Sequence, residues 1–183
     1  RKREMPGEKV LKLMKSSQMA AGNACSVWKQ SQTRLFRLWM AKENIFTVFM
    51  GILRRFPVTV ILKDHTLEHI NTIDIGGRNP VDITVDRNNK HVIVATLQGG
   101  TIYTIDRKND GSLGEVIAEF TYEGKEPGKV STIHQCLWDK KKNFLFACAQ
   151  SRVNGYGQMR ALRYDHETGQ FTQTAQFLSR TWD

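Results

Sequence analysis

A histidine at the start of an apolar run is the residue best suited to acid–base chemistry in this chain. His134 opens the stretch HQCLWDKKKNFLFACAQ, and an imidazole exchanges protons near neutral pH. Asp82 lies 52 residues earlier at the matching place of a similar stretch, so the two side chains could form the orienting pair that a general base needs. On spacing alone, a structural role is the commoner outcome for such a histidine. An aspartate before a strand commonly accepts turn hydrogen bonds instead.

Two further side chains could bind an anionic group. Arg152 and Tyr156 lie in the segment SRVNGYGQ, which separates two apolar runs and is long enough to reach over a neighbouring site. A loop that is simply solvated is the commoner explanation of such residues. The lysines at 140–142 indicate an exposed hairpin turn rather than a phosphate clamp.

Several classes of site have no signature in the sequence. The three cysteines, Cys25, Cys136 and Cys148, form no CxxC pair and are odd in number, which favours neither a disulfide framework nor a zinc site. Walker-type, HExxH and GxSxG motifs do not occur. We expect no metal and no cofactor, and no apolar run approaches the ~20 residues that span a bilayer. These features favour a soluble protein of a reducing compartment, the cytoplasm.

The positive charge is confined to the first third of the chain. Residues 1–56 contain 12 Lys and Arg against 3 Asp and Glu, which accounts for the whole net charge of +9. The charge therefore indicates an appended basic segment rather than a nucleic-acid-binding domain. Leu35, Leu38 and Trp39 are spaced as in an amphipathic helix. We divide the chain into a helical or disordered basic segment, residues 1–56, and a second domain, residues 57–183.

The second domain has the texture of an all-β protein. Short runs rich in Val, Ile, Thr and aromatic residues alternate with turn sequences such as DRNNK, LQGG, KNDGS and DHETG. No helical pattern interrupts them. The predicted strands are PVTVILK, LEHINTIDI, VDITVD, HVIVATL, TIYTID, GEVIAEFTY, HQCLWD, NFLFACAQ, MRALRYD and QFTQTAQFL.

An internal repeat narrows the fold. A shift of 52 residues places DITVDRNNKHVIVAT on HQCLWDKKKNFLFAC, and after an insertion TIYTIDRKNDGSLGEV matches MRALRYDHETGQFTQT. Each copy holds four strands, as one β-propeller blade does. A partial copy precedes the two, and the run IFTVFMGI could supply one of its earlier strands. We predict a partial β-propeller of about two and a half antiparallel blades.

An incomplete ring of blades has a physical consequence. Propellers close with about four to eight blades, and an open set leaves sheet edges unpaired. We therefore expect self-association through the open sheet edges.

The repeat resembles the seven-bladed propeller lactonases, a family that includes bacterial 6-phosphogluconolactonase and carboxymuconate-lactonizing relatives. The resemblance covers roughly residues 57–178. It rests on a G-G-x-x-P motif, a D-G-x-L-G motif, and a histidine ten residues before an F-L-aromatic run. The matching residues are Gly76, Gly77 and Pro80; Asp110, Gly111, Leu113 and Gly114; and His134 before Phe144, Leu145 and Phe146.

The resemblance implies lactone hydrolysis, with His134 as the general base and Asp82 beside it at the channel. Arg152 and Tyr156 would bind the substrate. The chain departs from the family where TIH replaces His-Pro-His and where Asp82 replaces a histidine or aromatic residue. The arginine and glutamate of the family pocket come from later blades, beyond Asp183, so we expect part of a site.

The sequence leaves three functions open. The first is hydrolysis of a phosphorylated or carboxylated sugar lactone, 6-phosphogluconolactone above all, in the pentose phosphate pathway. The second is a noncatalytic propeller fragment that serves as a binding or scaffold module. The third, a nucleic-acid or membrane-surface module, would need residues 1–56 to form one continuous basic face. We expect a small sugar lactone as the partner, with no nucleic acid and no membrane.

Overall fold

The structure is a computed structural model that describes residues 35–40, 45–50, 55–61, 67–150, 155 and 157–178. No helix in these ranges is long and apolar enough to cross a membrane. The described strands are β1 Leu35–Met40, β2 Ile45–Met50, β3 Arg55–Ile61, β4 Leu67–Asp74, β5 Pro80–Val85, β6 His91–Thr96, β7 Thr101–Arg107, β8 Leu113–Thr121, β9 Thr132–Trp138, β10 Phe144–Gln150, β11 Gln158–Tyr164 and β12 Phe171–Leu178.

The strands pair into three antiparallel sheets, each with its four strands in chain order. We refer to β1–β4 as blade 1, to β5–β8 as blade 2 and to β9–β12 as blade 3. All ten runs that were predicted as strands are strands, and blades 2 and 3 are the two complete copies of the repeat. The prediction of a partial β-propeller is confirmed.

Blade 1 corrects one prediction about the basic segment. The helix expected over Leu35, Leu38 and Trp39 is wrong, because these residues form β1. Leu35 pairs with Met50 and Leu38 with Val48, so three residues on β1 face two on β2. A β-bulge of this kind produces the three-residue spacing that resembles one turn of a helix.

The structure bears on only part of the other predictions for residues 1–56. The run IFTVFMGI does supply a strand, β2, and blade 1 has four strands instead of a partial set. The boundary between the two predicted domains, at residues 56 and 57, falls inside β3. The first part of the predicted helical or disordered segment, residues 1–34, lies outside the described residues.

Apolar side chains fill the spaces between adjacent blades. The first core joins blades 1 and 2, and the second joins blades 2 and 3. β6 is buried at every position because Val92 and Val94 enter the first core while Ile93 and Ala95 enter the second. Blade 2 is thus covered on both faces, as an internal blade of a propeller must be.

The turn between β5 and β6 and the turn between β9 and β10 show the true offset of the repeat. The amide of Asp86 donates to the carbonyl of His91 (3.1 Å), and the amide of Asp139 donates to the carbonyl of Phe144 (3.0 Å). Asp86 therefore corresponds to Asp139, an offset of 53 residues. The shift of 52 residues inferred from the sequence is wrong by one over these strands.

Candidate active site

His134 lies in a β-bulge near the start of β9. In the pairing of β9 with β10, Gln135 faces Cys148 and Ile133 faces Ala149, so His134 is the extra residue. The His134 side chain is exposed. Its ring forms no hydrogen bond with any described residue. Bulges often re-aim a side chain beside an active site, and here the bulged residue is an exposed histidine.

The same bulge occurs in blade 2. Val81 is the extra residue of β5, and the regular pairing resumes at Asp82, as it resumes at Gln135 in blade 3. Val81 is therefore the structural counterpart of His134, and Gln135 is the counterpart of Asp82. The two candidate residues do not occupy equivalent positions, because the bulge shifts the register by one residue.

Asp82 is engaged by the backbone of both blades. Its side chain is buried, at 2% exposure. Oδ1 accepts a hydrogen bond from the amide of Ile83 (3.0 Å), and Oδ2 accepts one from the amide of Cys136 in β9 (2.8 Å). The carboxylate therefore joins the first strands of blades 2 and 3, two residues beyond His134 on β9.

Arg152 and Tyr156 lie outside the described residues and remain predictions. The ends of their loop are nevertheless placed by strand pairing. Ala149 in β10 is paired on one side with Ile133 and on the other with Gln158. The end of β10 and the start of β11 therefore lie at the end of blade 3 that carries the β9 bulge.

A second group of titratable side chains, which the sequence analysis missed, lies buried between blades 2 and 3 at the opposite end of the strands. Asp86 Oδ2 is 3.2 Å from His166 Nδ1 and 3.8 Å from His91 Nδ1. The hydroxyl of Tyr164 is 2.9 Å from His91 Nδ1. His166 Nε2 is 2.6 Å from the carbonyl oxygen of Lys142, to which it donates. We call these five residues the blade 2–3 cluster.

The blade 2–3 cluster connects the blades and leaves little free for catalysis. Both ring nitrogens of His166 are engaged, one by Asp86 and one by Lys142. Burial, with the nearby Asp86, raises the pKa of Tyr164. Burial lowers the pKa of Lys142, an effect that Asp86 opposes, and the Lys142 amine donates to the carbonyl of Val85 (2.8 Å). The cluster had no sequence signal because its members lie up to 80 residues apart.

A cavity of about 500 Å³ adjoins the cluster and is lined by residues that include Arg87, Asn143, Arg163 and His166. It opens at the turn between β9 and β10, which begins at Asp139, about 16 Å along the chain from His134 at ~3.3 Å per residue. The cavity therefore does not include His134. Across the described part of the chain, no three His, Cys, Asp or Glu side chains converge as metal ligands would.

Solved structures share this fold at low sequence identity. A protein from Lactobacillus plantarum matches with a TM-score of 0.67 and 11% identity, over 79% of this chain and 41% of the other. The periplasmic gluconolactonase PpgL of Pseudomonas aeruginosa matches with a TM-score of 0.65 and 10% identity, over 79% and 41%. Sqt1 of Saccharomyces cerevisiae matches with a TM-score of 0.63 and 8% identity, over 82% and 36%. The chain thus spans less than half the length of each.

The family assignment comes from the sequence. No curated protein shows significant similarity to this chain. The family described as "Lactonase, 7-bladed beta-propeller" matches residues 51–181, which include the β9 bulge and most of the three blades. The chain therefore belongs to the seven-bladed β-propeller lactonase family.

Proposed function

We propose that the complete protein containing this chain hydrolyses a phosphorylated or carboxylated sugar lactone, with His134 as the general base. The observation that carries the proposal is the exposed imidazole in the β9 bulge, within a segment that matches the lactonase family. The first candidate substrate is 6-phosphogluconolactone, in the pentose phosphate pathway of the cytoplasm. A Bacteroides uniformis structure with a provisional assignment as a 6-phosphogluconolactonase has the same fold, at 15% identity and a TM-score of 0.54.

The reaction requires one proton to be moved twice. His134 takes a proton from water as the water oxygen bonds to the lactone carbonyl carbon. The ring C–O bond then breaks, and the imidazolium returns the proton to the departing alkoxide. Arg152 and Tyr156 would hold the phosphate or carboxylate of the substrate, since their segment joins the end of β10 to the start of β11, at the end of blade 3 that carries the bulge.

A noncatalytic binding or scaffold module is the second candidate. Three observations favour it. Asp82, expected to orient the base, accepts hydrogen bonds from two backbone amides, and His134 has no hydrogen-bond partner among the described residues. A fold does not by itself determine a function, and Sqt1 shares this fold at only 8% identity.

The decisive experiment measures lactone opening by the complete protein, with the spontaneous rate subtracted. We expect 6-phosphogluconolactone to be hydrolysed faster than the neutral gluconolactone. The variant His134→Ala should lower turnover by about 10²-fold, the usual scale for a lost general base, with an unchanged fold. The matched control is His69→Ala, which removes another exposed histidine, on β4.

The outcomes separate the two candidates. Loss of turnover in His134→Ala but not in His69→Ala supports the lactonase. A wild-type protein that adds nothing to the spontaneous rate favours the binding module. A folded His134→Ala variant with unaltered turnover would remove His134 from the mechanism.

A further inference from the structure

The strongest unexplained feature near the candidate site is the carboxylate of Asp82. It is buried between two blades, and its two oxygens accept hydrogen bonds from the backbone amides of Ile83 and Cys136. Its Oδ2 meets the amide of Cys136 at 2.8 Å, the shorter of its two amide contacts. A hydrogen bond to an ionised acceptor is roughly twice as strong as a neutral one, so this contact is a firm link between blades.

The hydrogen bond between Asp82 and the Cys136 amide lies close to His134 along β9. Cys136 is two residues from His134, and the intervening Gln135 is where regular pairing with β10 resumes after the bulge. A bulge disrupts the local ladder, so β9 is held least firmly by β10 at this point. The bond to Asp82 supplies the missing restraint from the side of blade 2.

We infer that Asp82 is a positioning residue: by binding the Cys136 amide, it fixes the β9 bulge and therefore the direction of the His134 imidazole. The catalytic part of this inference rests on the proposed function, whereas the placement of the imidazole does not. Asp82 acts on His134 through the backbone and exchanges no proton with substrate.

The chemistry of the contact explains why an aspartate is needed. The amides of Ile83 and Cys136 are both donors, and a carboxylate offers an acceptor to each of them. Asparagine has nearly the same shape, but its NH₂ group donates and cannot accept. Asp82→Asn therefore loses one of the two bonds, while the volume of the buried side chain is kept.

The chain offers a matched control in Asp86. This residue is also a buried aspartate that links blades 2 and 3, but it does so at the turn end of the strands, through His166. Asp86→Asn should weaken the same blade interface without moving the bulge. A general loss of stability would affect both variants, whereas a change confined to His134 would appear in Asp82→Asn alone.

The test uses amide hydrogen exchange and imidazole NMR on the 183-residue chain, followed by kinetics on the complete protein. In Asp82→Asn we expect the Cys136 amide to exchange about tenfold faster or more, and the His134 ring signals to shift or broaden. Asp86→Asn should leave both at wild-type values. In the complete protein, Asp82→Asn should lower kcat by about tenfold and change KM less than about twofold.

Each outcome decides one question. Wild-type Cys136 exchange and His134 signals in a folded Asp82→Asn variant would overturn the inference, and so would equal changes in both variants. If Asp82→Asn does not fold, the wild-type protein still decides: a Cys136 amide that exchanges as fast as an exposed loop amide overturns the contact. A complete protein without lactonase activity refutes the proposed function alone, because the exchange and NMR results stand apart from it.

Discussion

The thiol of Cys136 shows how the blade boundary alters the chemistry of a single residue. Its side chain is buried in the core between blades 2 and 3. Burial raises the pKa of the Cys136 thiol well above its usual range, and the nearby Asp82 and Cys148 raise it further. The neutral thiol is a poor nucleophile, so we interpret Cys136 as a packing residue.

This leads to a prediction about labelling. In a Cys25→Ser, Cys148→Ser variant, Cys136 is the remaining thiol, and a disulfide reagent at pH 8 should label it about a hundredfold more slowly in the folded protein than in urea. The release of the coloured thiolate measures the rate. Equal rates in both states, with the fold verified by circular dichroism, would contradict the burial of Cys136.

The candidate histidine could be predicted from the sequence, but its supposed partner could not. His134 stood out as a proton acceptor near the start of a strand, and it is the third residue of β9. Asp82 was paired with it through the offset of 52 residues, whereas the bulges and turns give 53. The sequence shows an aspartate in either case. Only the structure distinguishes a carboxylate that accepts hydrogen bonds from backbone amides from one that orients a histidine.

Among the structural elements, the strands were predictable because short β-rich runs alternate with turn residues. The register between repeats was harder, and β6 shows the reason. All six of its residues are buried, since it packs against a blade on each face. A strand buried on both sides lacks the apolar–polar alternation that fixes register, so shifts of 52 and 53 fit its apolar run almost equally.

The turn between β6 and β7 gives a test at the scale of the element. Gly100 has φ +61°, and an added Cβ would lie 2.6 Å from the Cβ of Val130 and 2.7 Å from the carbonyl oxygen of Ser131. Neither atom can move without shifting the backbone before β9. We expect Gly100→Ala to lower the free energy of unfolding by about 3 kcal/mol, from left-handed strain together with the clash.

Gly128 is the matched control for this prediction. Its φ is +73°, yet an added Cβ would meet nothing within 4 Å. Gly128→Ala should therefore show the conformational cost alone, about 1 kcal/mol. Urea unfolding of the two variants measures both values, and equal losses would show that the close packing around Gly100 is not restrictive.

For the whole molecule, the two faces of blade 3 differ sharply. One face packs on blade 2 through the second core. The other carries Leu137 at 49% exposure and Phe177 at 58%, with Met159 paired directly opposite Phe177. Exposed apolar side chains on one sheet face mark a surface that gains free energy when it is covered. In a propeller, the next blade covers such a face.

We therefore predict that the 183-residue chain self-associates in isolation through this face and the adjoining sheet edges. Size-exclusion chromatography with light scattering at micromolar concentration should give a mass above that of one chain. The double variant Leu137→Lys, Phe177→Lys should shift the mass towards the monomer, because a charged side chain resists burial at the contact. Gln176→Lys adds charge one residue away on the opposite side of β12 and should not have this effect. A wild-type chain that is monomeric throughout, or an equal shift from Gln176→Lys, would show that the apolar face of blade 3 does not drive association.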